Sequence, residues 1–288
     1  MNPQSMLLPI SFAVTLVSLA AFAEPAMPTS NVLTRVLMIQ SQYYRGTVFS
    51  IDVDGREYWI TAKHILTGAI HPPYGTVKAE KVNLKILNPV AAGEQWIERE
   101  FEIIDTGADI DEVVLVSTSP LLSTALPSVQ TTSDSVGIGA DCSFVGFPFG
   151  GGWRANFGGG QSSWMPFTKH CTVSALQAEP QKIWVLDGLN NAGFSGGPVL
   201  IRTGLDQRIF AVVSGYITEP TAVITAKAQR SPPTGNATDE ARPSKAVASP
   251  PKSKQRVDLN SGFIIAFDIS YAISAIHERP IGPVRKDQ

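Results

Sequence analysis

The chain has 288 residues, 43% hydrophobic and 17% charged, with a formal net charge of −2. That length supports one two-lobed domain or two small domains with real cores, and the near-neutral balance excludes the strongly basic surface that nucleic acid demands. With 24 glycines and 21 prolines, turns and short strands are favoured over long helices.

Leu7 to Ala20 is largely apolar and runs into Ala21-Phe22-Ala23, a small-x-small cleavage site before Glu24. The run is interrupted by Pro9 and is short for a bilayer span, which needs roughly 20 residues. Residues 1–23 therefore read as a signal peptide, although residues 1–6 carry no Lys or Arg. Cleavage would export the mature chain to the periplasm or exterior, with no stable membrane span. An uncleaved anchor is the competing reading.

Short strand signals follow. Thr47 to Asp52 and Glu57 to Thr61 flank Val53-Asp54-Gly55-Arg56, whose Asp-Gly marks a hairpin turn. Further apolar or β-branched runs are Val82–Leu87, Trp96–Ile104, Val113–Ser117, Cys142–Phe147, Cys171–Leu176, Ile183–Leu186, Val199–Ile201, Ile209–Ile217 and Phe263–Phe267. Many short strands with frequent turns predict an all-β barrel or sandwich. Asp268 can cap one final helix over Ile269–His277.

The cysteines, Cys142 and Cys171, begin the apolar segments flanking the loop 148–168. In an exported protein they predict a disulfide; two buried free thiols are the alternative. No Cys-x-x-Cys or clustered His suggests a metal. The glycine runs 150–152 and 158–160 lack the Gly-Lys-Ser/Thr ending and helix of a phosphate loop. Residues 226–258 hold five prolines, seven Lys or Arg and no aromatic residue. Such a segment cannot bury enough apolar area to order itself, so it reads as a disordered insertion.

Chemistry enters with Thr61-Ala62-Lys63-His64, two aspartates (Asp109, Asp111) before Val113-Val114-Leu115, and Gly193-Phe194-Ser195-Gly196-Gly197-Pro198. A serine hydroxyl attacks poorly until an imidazole takes its proton and a carboxylate orients that imidazole. Glycines beside the serine let the backbone turn its N–H groups inward, where an oxyanion would form. A serine that merely bonds within a Gly-Gly-Pro turn is the plainer reading of that segment alone. His71, His170 and His277 lie in no comparable motif.

Trp59 to Leu66 and Gly193 to Pro198 resemble the histidine and serine signatures of chymotrypsin-like (trypsin-like) serine proteases. Gly146-Phe147-Pro148-Phe149-Gly150, Val173-Ser174-Ala175-Leu176, Asp187 and Asn191 before the serine, and Gly262 to Phe267 resemble the bacterial Deg/HtrA-type branch. The likeness runs from about Gly46 to about Ile276. It implies a double six-stranded β-barrel with a C-terminal helix, a peptidase domain over 31–280, and lobes of about 31–125 and 126–280. It implies His64 as general base, Ser195 as nucleophile and the Gly193 and Ser195 N–H groups as oxyanion hole. Asp111-Glu112-Val113-Val114-Leu115 matches the family's Asp-x-Ala-x-Leu with valine for alanine, which favours Asp111 over Asp109 as the third member. Phe194 replaces an aspartate that pairs with a new N-terminus in digestive enzymes, so activation by that route is not expected. Leu189, Val213, Ser214, Gly215 and Tyr216 would line a pocket for a small or medium apolar side chain of a polypeptide substrate, and no cofactor is expected. The insertion would emerge near that pocket, and the family's PDZ domain is not expected after residue 288.

Two rival readings stand beside this. Gly193-x-Ser195-x-Gly197 also fits an α/β-hydrolase elbow, with His277 as base, but Pro198 and β-branched residues follow where that fold needs a helix. The other rival is a barrel that binds peptides without cleaving them.

Overall fold

The computed structural model describes residues 28–89, 93–121, 126–134, 136–156, 162–203, 206–222 and 256–285. After a one-turn helix α1 (Ser30–Leu33), strands β1 (Val36–Gln40), β2 (Arg45–Val53) and β3 (Arg56–Thr61) follow, then a short helix α2 (Lys63–Thr67). Strands β4 (Lys81–Leu87), β5 (Trp96–Asp105) and β6 (Val113–Val116) complete a closed antiparallel barrel in the order β1-β2-β3-β6-β5-β4. The β2–β3 hairpin turns on Asp54 (φ 49°) and Gly55 (φ 71°). Positive φ at both central residues is the two-residue turn whose twist matches the flanking strands.

The second lobe contains β7 (Gln130–Thr131), β8 (Asp141–Gly146), β9 (Trp153–Asn156), β10 (Ser162–Met165), β11 (Phe167–Gln177), β12 (Ile183–Asp187), β13 (Pro198–Thr203), β14 (Asp206–Ala222) and β15 (Arg256–Asp268). Six of these follow the order β13-β8-β11-β12-β15-β14, and a β13–β14 pairing closes the ring. Helix α3 (Ser270–Glu278) ends the fold. This is the all-β double barrel with a C-terminal helix that the motifs imply.

Each barrel has its own core. Leu37, Ile39, Val48, Trp59, Phe101 and Leu115 fill the first; Phe144, Trp184, Phe194, Phe210 and Val213 fill the second. A third cluster forms the junction, where Phe49, Ile51, Tyr58, Ile60, Val114 and Val116 meet Val145, Leu200, Val212 and the Ala272 and Ile276 face of α3. Strands β3 and β6 thus bury both faces, Val113 and Leu115 inward and Val114 and Val116 against the other lobe. That is why they read as unbroken apolar runs rather than alternating ones. Asp268 stands one residue before the N-cap, Ile269, rather than at the cap itself, and accepts the Ser270 N–H at 3.0 Å.

Cys142 and Cys171 sit opposite each other on β8 and β11 and are bonded, both buried. Three features differ from expectation. Val36–Gln40 is a strand, and the loop 148–168 contains the hairpin β9–β10. Strands β14 and β15 remain paired out to Ala222 and Arg256, so residues 256–258 of the expected insertion belong to β15. The rest of that expected insertion, and residues 1–23 expected to be a signal peptide, lie outside the described residues. Among the described residues no helix is long and apolar enough to cross a membrane.

Candidate active site

Pairing of Thr61 with Val113 carries the end of β3 alongside the start of β6. The chain then bends into α2, which Gly68 closes at φ +79°. The result sets His64 against Asp111. The Asp111 carboxylate accepts the His64 backbone N–H at 2.8 Å, and its other oxygen lies 2.7 Å from His64 Nδ1. The Ser214 hydroxyl donates to that same second oxygen. His64 is 9% and Asp111 1% exposed, so three protein donors stand in for the water the carboxylate has lost. Holding Nδ1–H in this bond leaves Nε2 as the basic nitrogen. Asp109 is exposed on the same loop.

Ser195 stands on the turn between β12 and β13. Gly196 beside it takes φ +82°, and a Cβ there would come within 2.2 Å of the Thr47 carbonyl. The turn is held from the other lobe. Thr47 N–H donates to the Ser195 carbonyl at 2.8 Å, and the Thr47 hydroxyl donates to the Gly193 carbonyl at 2.8 Å while accepting the Phe147 N–H at 3.1 Å. Phe194 anchors the turn from below, buried edge-on against Phe144. The Ser195 hydroxyl donates to the Ser214 carbonyl at 2.9 Å.

Gly193 adopts φ +102°, and a Cβ there would lie 2.3 Å from the Phe147 carbonyl. The preceding carbonyl, Ala192, accepts the Phe149 N–H at 2.6 Å, which points the Gly193 N–H the opposite way across that peptide. Among the described residues no carbonyl takes the Gly193 or Ser195 N–H. Two donors are therefore available beside the serine.

His64, Ser195, Gly193, Ser214, Gly215 and Tyr216 share the wall of one cleft of about 480 Å³. Tyr44, Arg45, Ile70, His71, Ala192 and Thr218 complete it. The Leu189 side chain is 57% exposed and is not among the residues lining this wall, and its carbonyl accepts Lys169 Nζ at 2.7 Å. Asn190 is the buried residue there instead, its amide donating to the Gly215 carbonyl at 3.2 Å. Val213 faces the barrel core. His170 and His277 are exposed, near Asp141 and Asp54 respectively.

Thr47, Tyr74 and Glu112 were not singled out from sequence. Thr47 had a visible signal, a hydroxyl inside an apolar strand. Tyr74 is buried beside Asp111 and Ser214; burial and the Asp111 carboxylate raise its phenol above the ordinary value, with the Ser214 hydroxyl opposing. Among the described residues there is no group of three or more His, Cys, Asp or Glu able to hold a metal ion.

No family model matches the chain, and no curated protein matches it. Among solved structures it is similar to the active form of the Rv3671c protease from M. tuberculosis, at 15% identity and TM-score 0.48, over 99% of this chain and 97% of that one. It is similar to the HtrA-type protease AlgW with a tripeptide, at 15% and 0.48, over 86% of this chain and 61% of that one. A thermostable serine protease, AL20, from an extremophilic microorganism is similar at 13% and 0.48, over 84% and 93%.

Proposed function

We propose that this protein is an exported serine endopeptidase of the chymotrypsin-like, Deg/HtrA-related type, hydrolysing polypeptides through an acyl-enzyme. The observation that carries this reading is the buried His64–Asp111 pair opening onto the same cleft as Ser195 and the Gly193 and Ser195 N–H groups, which no carbonyl of the described residues takes. In the reaction, Ser195 Oγ attacks the scissile carbonyl carbon as His64 Nε2 takes its proton. The carbonyl oxygen becomes an oxyanion and accepts the Gly193 and Ser195 N–H groups. Collapse breaks the C–N bond, and His64 gives its proton to the leaving amine. Water then attacks the ester by the same steps and restores Ser195. Asp111 keeps Nδ1 protonated and steadies the imidazolium that forms twice in the cycle.

The strand Ser214–Tyr216 would run alongside the substrate, and the half-exposed Tyr216 ring would narrow the space for the side chain before the scissile bond. One observation favours the rival reading of a peptide-binding barrel: the Ser195 hydroxyl is engaged by the Ser214 carbonyl. Catalysis requires a χ1 rotation that hands it to His64, a change common between resting and substrate-bound sites. Casein hydrolysis by the wild type, lost in both Ser195→Ala and His64→Ala while the variants stay folded, supports peptidase action. Peptide binding without hydrolysis by folded wild type overturns it.

A further inference from the structure

Next to Asp111, on the other face of the same strand entry, lies a carboxyl with no evident partner. Glu112 is 0% exposed, and neither of its oxygens makes a hydrogen bond. Helix α3 packs on β6 beside it, and the Ala272 N–H in the first turn of that helix favours its charged form while falling short of a well-formed hydrogen bond.

The charges around it leave it alone. Asp268, at the end of β15, is negative and already spends its oxygens on Ser270 N–H, Trp184 Nε1–H and Lys182 Nζ. Asp111 is negative and takes its three donors from His64 and Ser214. Lys63, on α2, is fully buried but committed to the Asp105 carboxylate and the Gly107 carbonyl. Among the described residues, a charge placed on Glu112 would face the Asp268 and Asp111 carboxylates while Lys63 is already committed elsewhere.

We propose that Glu112 is a proton-dependent positioning residue: as a neutral acid it lets β6 pack on α3, and its ionisation loosens Asp111 and sets the alkaline limit of activity. This rests on the proposed peptidase reading. Burial first, then Asp268 and Asp111, pushes the carboxyl well above its ordinary range, with the Ala272 N–H and Lys63 opposing. Loss of that proton leaves a buried, unpaired charge, which cores tolerate only by opening. The acid limit of activity has a separate origin, because His64 must be neutral to accept the serine proton.

The sign follows by linkage. The folded carboxyl holds its proton to higher pH than the unfolded one. Between those two pH values the native state binds a proton that the unfolded state lacks, so stability falls as pH rises. The unfolding equilibrium from this one group shifts tenfold per pH unit.

The test has two arms. In full-length Ser195→Ala, which cannot digest itself, urea unfolding is followed from pH 5 to 9 with and without Glu112→Gln. Glu112→Gln should remove close to a tenfold-per-unit slope and be the more stable form at neutral pH. Equal slopes overturn the proposal whether or not the protein is a peptidase. Should Glu112→Gln not fold, Glu112→Leu, which suits the apolar surroundings, must show the same flattening. With Ser195 intact, Glu112→Gln should move the alkaline limb of peptide hydrolysis upward and leave the acid limb in place. Tyr74→Phe separates the other buried titratable group at Asp111; an alkaline limb that follows Tyr74 and ignores Glu112 overturns the assignment.

Discussion

Replacing Asp111 by asparagine should cost about 10⁴ in kcat, near 5 kcal/mol of barrier, with only a modest loss of stability. The geometry says why. Asp111 accepts three hydrogen bonds, two on one oxygen and one on the other. Asparagine has one acceptor oxygen. If that oxygen faces the His64 backbone N–H, the amide NH₂ faces Nδ1, and the imidazole must turn Nδ1 into an acceptor. The proton then sits on Nε2, which can no longer take one from Ser195. If the amide flips, the His64 backbone N–H meets NH₂, and α2 must shift to relieve the clash between two donors. Either arrangement leaves one buried donor unsatisfied, worth about 1–3 kcal/mol of stability. Single-turnover hydrolysis of an activated ester and steady-state peptide cleavage, measured beside Asp109→Asn, give the readout. Asp109 is exposed, so its variant should stay within about twofold of wild type. Asp111→Asn retaining more than a tenth of wild-type kcat, or Asp109→Asn being the damaging change, would refute this reasoning.

The remaining predictions concern the supports of the site. Thr47→Val keeps the shape but orphans the Gly193 carbonyl and the Phe147 N–H; it should cost about 1–3 kcal/mol in chemical denaturation and lower kcat more than KM rises. Removing both Cys142 and Cys171 opens a cross-link spanning 29 residues, so stability should fall by about 3–4 kcal/mol in urea, and unchanged unfolding would refute a structural role. Leu189→Ala should leave cleavage preference unchanged because its side chain is off the cleft, whereas Tyr216→Ala should admit larger side chains before the scissile bond in a peptide-library profile.

What sequence makes legible here is what local chemistry demands. The Asp54-Gly55 turn was readable because only certain residues accept positive φ twice in succession. Helix α3 was readable to within one residue at either end from its apolar spacing. The pairing of Cys142 with Cys171 followed from two strands flanking one loop. Strand β1 escaped because an unbroken apolar run carries no period to separate strand from helix. The exposure of Leu189 was not legible, because it depends on how the loop before the serine packs, and that loop is tied to Lys169 twenty residues away. The match to Asp-x-Ala-x-Leu favoured Asp111 over Asp109 from sequence, but the contact of its carboxylate with His64 is a long-range fact. Glu112 was hidden for a related reason. In an isolated strand its alternation with Asp111 suggests solvent, and its full burial is a product of tertiary packing.

The central claim is that Ser195 is a nucleophile activated by His64. It is met most directly by treating the folded protein with a fluorophosphonate and locating the adduct by mass spectrometry. A single phosphonyl group on Ser195, with fluoride displaced, absent in Ser195→Ala and strongly reduced in His64→Ala, is the result the account predicts. A folded, casein-hydrolysing protein that leaves Ser195 unlabelled, or carries the label on another residue, would contradict it.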